Sequence, residues 1–194
     1  MIIKKSVMCP QDTTLDAERF KLYGKLYDEK HAIIKSVKEV KDILEIGVRA
    51  GYSAWTFLQA FPEARYVGLD AHNGTHGGAG GETGVYEAWA KKILAEYNAT
   101  LIRMDTQGET DISHLGKFDF IHIDGDHTAD GVYHDLCLCF SLLRDTRAKI
   151  SVDDYTFLAA VKEGVDRWLQ DYDGVIVHEF IPTVRGDIVI RRKM

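Results

Sequence analysis

Residues 119 to 135 read DFIHIDGDHTADGVYHD, with aspartates at 119, 124, 126, 130 and 135 and histidines at 122, 127 and 134. Side chains of these types bind hard cations or move protons near neutral pH. Asp124 closes a short apolar run, FDFIHID, that reads as a buried strand; a second run, AKISVD, leads into Asp153, Asp154 and Tyr155. If these two strands are parallel neighbours, Asp124, Asp153 and Asp154 meet at their carboxyl ends. Three carboxylates so close repel one another unless a cation sits among them, and an all-oxygen set favours Mg²⁺ or Ca²⁺ over zinc. The plainer alternative is three solvated loop acids. His122 alternates with Ile121 and Ile123 and reads as a core histidine. Asp130 and His134, four apart, are expected to pair on a solvated helix face, and Asp126 either to cap that helix or to stand behind the carboxylates.

A second constellation precedes it. LEIGVRAGYS (44–53) is the end of a buried strand running through a turn with Gly47 and Gly51 into a helix. Such a turn lets backbone approach a ligand closely and offers the helix's first N–H groups. It is not the dinucleotide fingerprint, because Arg49 and Tyr52 stand in it, and Glu45 would be awkward beside a pyrophosphate. Glu45 suits a ligand with positive charge. Asp70 ends the next strand, RYVGLD, where a carboxylate can accept both hydroxyls of an adenosine ribose. A ribose acceptor beside a turn that avoids pyrophosphate points to S-adenosylmethionine.

The elements needed to hold these groups are legible as periodicity. Strands are expected at 41–48, 65–70, 99–104, 118–124 and 148–153, with helices at 53–61, 85–97, 131–143 and 156–169 between or after them. This alternation implies right-handed βαβ units, a parallel sheet and helices on both faces. Two final strands, 174–182 and 187–192, have no helix between them and should be antiparallel. An N-terminal helix is expected within 13–30, with Leu15, Phe20, Leu22 and Tyr23 available for packing. The glycine-rich patch GTHGGAGGETG (74–84) reads as a flexible loop, either a lid over the cofactor or merely a tolerated floppy loop.

Composition narrows the classes. A chain of 194 residues that is 45% apolar can bury a core as one domain. The net charge of −6 argues against a nucleic-acid binder. No run is long and apolar enough for a membrane span or signal peptide. The three cysteines, Cys9, Cys137 and Cys139, lack zinc-type spacing, and a reduced, cytoplasmic protein is expected.

LEIGVRAGYSA followed by YVGLD resembles the first two motifs of class I S-adenosylmethionine-dependent methyltransferases, closest to the catechol-O-methyltransferase-like branch and the small bacterial natural-product O-methyltransferases. The likeness spans about residues 41–192 and leaves 1–40 as a helical segment covering the substrate. It implies a Rossmann-like, doubly wound, seven-stranded, mostly parallel sheet with an antiparallel last strand. It also implies that Ser53 and the backbone near Gly47 hold the methionine part and Asp70 the ribose. Thr106 and Gln107 would meet the adenine edge, and His72 would pack on the adenosine. In the metal-dependent branch, Asp124, Asp153 and Asp154 correspond to magnesium ligands, although Asp154 stands where asparagine is commoner. His127 falls where that branch places its general base. Trp89 and Tyr155 are candidates to line an aromatic or sugar pocket. The expected activity is methylation of a hydroxyl on a small molecule such as a catechol or sugar diol, and a homodimer is the default assembly. The alternatives are a metal-independent O- or N-methyltransferase using His127 alone, a non-catalytic adenosyl-binding relative, and a nicotinamide-dependent oxidoreductase.

Overall fold

Alternation of side chains along the central strands divides the core in two. In β1 (Asp42–Ile46), Leu44 and Ile46 face one side and Ile43 the other; in β4 (Phe120–Ile123), Ile121 and Ile123 stand opposite Phe120. The first face packs against α4 (Ala129–Phe140) and α5 (Ala159–Tyr172) through Val132, Leu136, Val165 and Trp168. The second packs against α1 (Ala17–Lys35) and α2 (Tyr52–Ala60) through Ile33, Ile34, Phe57 and Leu58. Burial on both faces explains why these strands read as nearly continuous apolar runs.

The computed structural model describes residues 1–73 and 83–194. Among them seven strands form one sheet in the order β3-β2-β1-β4-β5-β7-β6. Here β2 is Arg65–Asp70, β3 Ala99–Arg103, β5 Lys149–Val152, β6 Ile176–Ile181 and β7 Asp187–Arg192. Strands β1 to β5 are mutually parallel, and β7 runs antiparallel to both β5 and β6, as the missing final helix implies. The strand order reverses at β1, which lies between β2 and β4, and ligands of open α/β sheets bind outside such a point. Residues 74–82 of the glycine-rich patch, and with them the question of a lid, lie outside the described residues. Its last two residues already belong to α3 (Thr83–Leu94). No helix among the described residues is long and apolar enough to cross a membrane.

Helix boundaries differ from the periodicity by a few residues, and three of the starts have a clear local reason. Asp16 caps α1 by accepting from the Arg19 backbone N–H at 2.8 Å, and the apolar stripe then carries the helix on to Lys35. Thr128 caps α4 by accepting from Gly131 N at 3.0 Å, so that helix starts two residues early. Asp154 has φ +59°, which turns the chain away and delays α5 to Ala159.

One row of the sheet is polar. Gly68, Glu45, His122 and Ser151 are register partners across β2, β1, β4 and β5, on the face covered by α1 and α2. This row lies directly beneath the carboxyl ends of the strands and underpins the site.

Candidate active site

The turn after β1 is built by two backbone constraints. Gly47 has φ +86°, and a Cβ there would sit 1.8 Å from the carbonyl oxygen of Asp124, so only glycine lets β1 and β4 end side by side. Asp70 then ties the next two loops together. Its carboxylate accepts from Arg49 N at 2.7 Å and from His72 N at 2.6 Å, and both donors hold positive φ. A cavity of about 420 Å³ opens here, lined by Gly47, Ser53, Asp70, Thr106, Asp124 and His127 among others.

An adenosyl ligand fits this end of the cavity. The carboxylate of Asp70 retains lone pairs for ribose hydroxyls. His72 is buried, burial lowers its pKa so that it is neutral, and its Nε2 has no partner. Thr106 and Gln107 face the cavity from the turn after β3, held by a residue that local pattern did not single out. Asp135 on α4 is fully buried and accepts from Thr106 Oγ1 at 2.7 Å and Gln107 Nε2 at 3.1 Å. Burial raises its pKa to about 6. His134 meets the Thr106 carbonyl at 3.0 Å, and Asp130 pairs with Arg167 at 2.8 Å, so the expected Asp130–His134 pair gives way to two longer-range contacts. Asp126 accepts from Thr128 N at 2.8 Å, while Thr128 itself is the cap of α4.

Two expected cofactor residues stand behind the cavity. Glu45 is fully buried and accepts from the hydroxyls of Ser53 and Tyr66, and burial pushes its pKa up to about 8. It therefore orients Ser53 instead of meeting a ligand's charge directly. Gly51 (φ +79°) caps α2 and packs against α3 near Ala90 and Ile93.

The N-terminal segment roofs the cavity. Asp12 receives both Nη atoms of Arg49 at 3.2 Å, the Tyr52 hydroxyl at 2.8 Å and the Tyr86 hydroxyl at 3.2 Å. Leu15 and Tyr23 line the cavity and Phe20 joins a small core beneath, but Leu22 is exposed. Trp89 donates to the Val7 carbonyl at 2.7 Å and Tyr155 to Asp166 at 2.7 Å; neither lines the cavity.

The acidic groups do converge, in two trios: His122, Asp124 and Asp153, and Asp124, His127 and Asp154, each with ligand atoms within 4.8 Å of one another. His127 Nε2 lies 3.2 Å from Asp124 Oδ1, and this hydrogen bond raises the histidine's pKa above its ordinary value. Burial and the charge of Asp153 push Asp124 up to about 6.

The other two aspartates already hold cations. Lys30 of α1 is buried, with Nζ 2.7 Å from Asp153 Oδ2 and 2.9 Å from His122 Nε2. Burial alone would lower the lysine's pKa, but Asp153 holds it above the ordinary value, while Lys30 keeps Asp153 well below the usual carboxylate range despite burial. Burial likewise strips His122 of its proton, which leaves Nε2 as the acceptor. Arg185, in the turn between β6 and β7, donates Nη1 to both oxygens of Asp154 at 2.9 and 3.0 Å.

This pairing bears on the expectation of magnesium. Asp153 Oδ1 is free of partners, so one oxygen is open. At about 4 Å and an effective dielectric constant of about 20, each carboxylate attracts a divalent ion by roughly 8 kcal/mol and each fixed cation repels it by as much. Lys30 and Arg185 thus cancel two of the three aspartates, against an ion that sheds water reluctantly. The donor set, as paired, does not fit a divalent cation.

Known proteins resemble the chain in sequence family and in fold. The model of the family described as "Methyltransferase domain" matches residues 44–155. No curated protein matches by sequence. Among solved structures, the O-methyltransferase NovP superposes with a TM-score of 0.67 at 16% identity, covering 88% of this chain and 80% of that one. The O-methyltransferase TomG from Streptomyces achromogenes, in complex with SAM, gives 0.62 at 19% identity over 94% of this chain and 83% of its own. An O-methyltransferase from Bacillus cereus in complex with SAH gives 0.59 at 19% identity, over 100% and 93%.

Proposed function

The chain belongs to the methyltransferase-domain family, and from that premise we propose that it transfers the methyl group of S-adenosylmethionine to a hydroxyl oxygen of a small molecule. The observation that carries this reading is the sharing of one cavity by Asp70, with its free acceptor capacity, and the Asp124–His127 pair. SAM and SAH in the structures of TomG and the Bacillus cereus enzyme support the choice of cofactor.

The cofactor, when bound, supplies an electrophilic methyl on a sulfonium. Asp70 receives the ribose, Ser53 and the backbone at Gly47 the methionine part, and Thr106 and Gln107 the adenine edge. His127 donates Nε2–H to Asp124, which leaves Nδ1 to take the hydroxyl proton of the acceptor. Asp124 stabilises the imidazolium that results. The acceptor oxygen bonds to the methyl carbon as the carbon–sulfur bond breaks, and the electron pair stays on sulfur. Holding both reactants in line is worth roughly 7–11 kcal/mol of barrier. The cytoplasm is the proposed compartment, in keeping with three free cysteines.

The test is calorimetric titration with S-adenosylhomocysteine, followed by labelled S-adenosylmethionine and a panel of phenols and sugar alcohols. Saturable binding and label on an acceptor oxygen are expected. Absence of adenosyl binding to folded protein would sink the reading.

A further inference from the structure

Lys30 occupies a position that helices normally give to an apolar residue. Leu26, Tyr27, Lys30, Ile33 and Ile34 form the buried stripe of α1, and the lysine's side chain is only 3% exposed. A charge there persists only with partners. Its ammonium reaches the polar row of the sheet at His122 and the strand end at Asp153. Arg185 comes from the β6–β7 turn, which meets α1 through Val184 N and Glu29 at 2.8 Å; its guanidinium carbon lies 5.0 Å from the Phe157 ring centre, and it clamps Asp154. Two elements outside the strand ends, α1 and the β6–β7 turn, each deliver one fixed cation to one aspartate.

We propose that Lys30 and Arg185 stand in for a divalent ion at the ends of β4 and β5, so that transfer proceeds without metal and selects an acceptor by a single hydroxyl. The proposal rests on the methyl-transfer reading. Asp124, Asp153, Asp154 and the two fixed cations leave one net negative charge among themselves, the buried Asp187 stands near Lys30 and Asp153 as well, and the sulfonium of the cofactor adds one positive charge. A divalent ion added to this set would leave the loaded site positive. Chelation of two neighbouring substrate oxygens is what a metal would demand of the acceptor; without it a lone phenolic or alcoholic hydroxyl within reach of His127 suffices.

The test uses the full chain, stripped with EDTA, and Mn²⁺ as the probe, with the free-ion signal followed by electron paramagnetic resonance. The wild type is expected to leave the signal undiminished, with or without S-adenosylhomocysteine. EDTA is expected to leave transfer to a monohydroxy phenol within about twofold. Lys30→Met, and independently the half-exposed Arg185→Met, should each uncover a carboxylate and produce at least a tenfold gain in Mn²⁺ affinity. Arg185→Met serves if the buried lysine variant does not fold. Saturable Mn²⁺ binding by the wild type, lost in Asp153→Asn, would overturn the proposal, as would folded variants that gain no affinity. In either case intact binding of S-adenosylhomocysteine would leave the methyl-transfer reading standing, whereas its absence would remove that reading itself.

Discussion

Gly47 and Asp124 share a space that holds no side chain: a Cβ on Gly47 would fall 1.8 Å from the carbonyl oxygen of Asp124 and 2.9 Å from Gly125 N. The contact sets the glycine turn and the Asp124–His127 pair side by side in the lining of one cavity. Gly47→Ala must therefore push β1 and β4 apart at their ends and also hold alanine at φ +86°. A loss of about 3–4 kcal/mol is expected, seen as a fall in melting temperature of roughly 10 °C. An unchanged melting curve would mean that the two strand ends are not locked together.

His127→Ala should lower kcat by about 10²- to 10⁴-fold, the usual contribution of a positioned general base. Binding of S-adenosylhomocysteine should stay within about threefold, because the role proposed for His127 is toward the acceptor hydroxyl. The hydrogen bond that His127 donates to Asp124 raises the histidine's pKa, so the rising limb of the pH–rate profile should lie above about 6.5, where an unperturbed imidazole titrates. Asp124→Asn removes that bond's charge and should move the limb down. A limb that stays put in Asp124→Asn would remove the pair from the mechanism.

Asp70→Ala should weaken S-adenosylhomocysteine about 10- to 100-fold, since hydrogen bonds to a charged acceptor contribute roughly 1.5–3 kcal/mol. Part of the loss is indirect, because the carboxylate also holds Arg49 N and His72 N. Asp70→Asn keeps an acceptor for one of them and should fall between. Calorimetry of the three proteins at one temperature separates these effects, and equal affinity in all would rule out Asp70 as the ribose acceptor.

Much of this architecture was legible because its signals are local. Strand alternation located the sheet, the missing last helix gave the antiparallel end, and strand termini brought Asp124 and Asp153 together. What escaped depends on contacts far apart in sequence. Lys30 is 123 positions from Asp153, and Arg185 is 31 from Asp154. A signal for the lysine did exist, as the one charged residue on the apolar stripe Leu26, Tyr27, Ile33, Ile34. Nothing local marks Asp135 as the support of Thr106 and Gln107, 29 and 28 positions away. The expectation of magnesium was read from the aspartates alone, without the cations that pair with two of them.

Glu45 tests the polar row by pH. Its folded pKa of about 8 lies above the ordinary 4.5 because burial disfavours the carboxylate, with the Ser53 and Tyr66 hydroxyls opposing that shift. Below the unfolded pKa both states carry the proton, and the contribution to stability is complete. As pH rises from about 4.5 to about 8 the unfolded chain loses its proton while the folded protein keeps it, so stability falls. Above about 8 both states are ionised and the slope ends. Glu45→Gln keeps the shape and hydrogen-bonding capacity without the titration, so its stability relative to the wild type should increase between about pH 5 and pH 8, by roughly 3–5 kcal/mol for the full shift. Urea melts of both proteins across that window measure the difference directly. Parallel curves would mean that Glu45 stays ionised in the fold, as a carboxylate answering the Lys30 charge from within the same row.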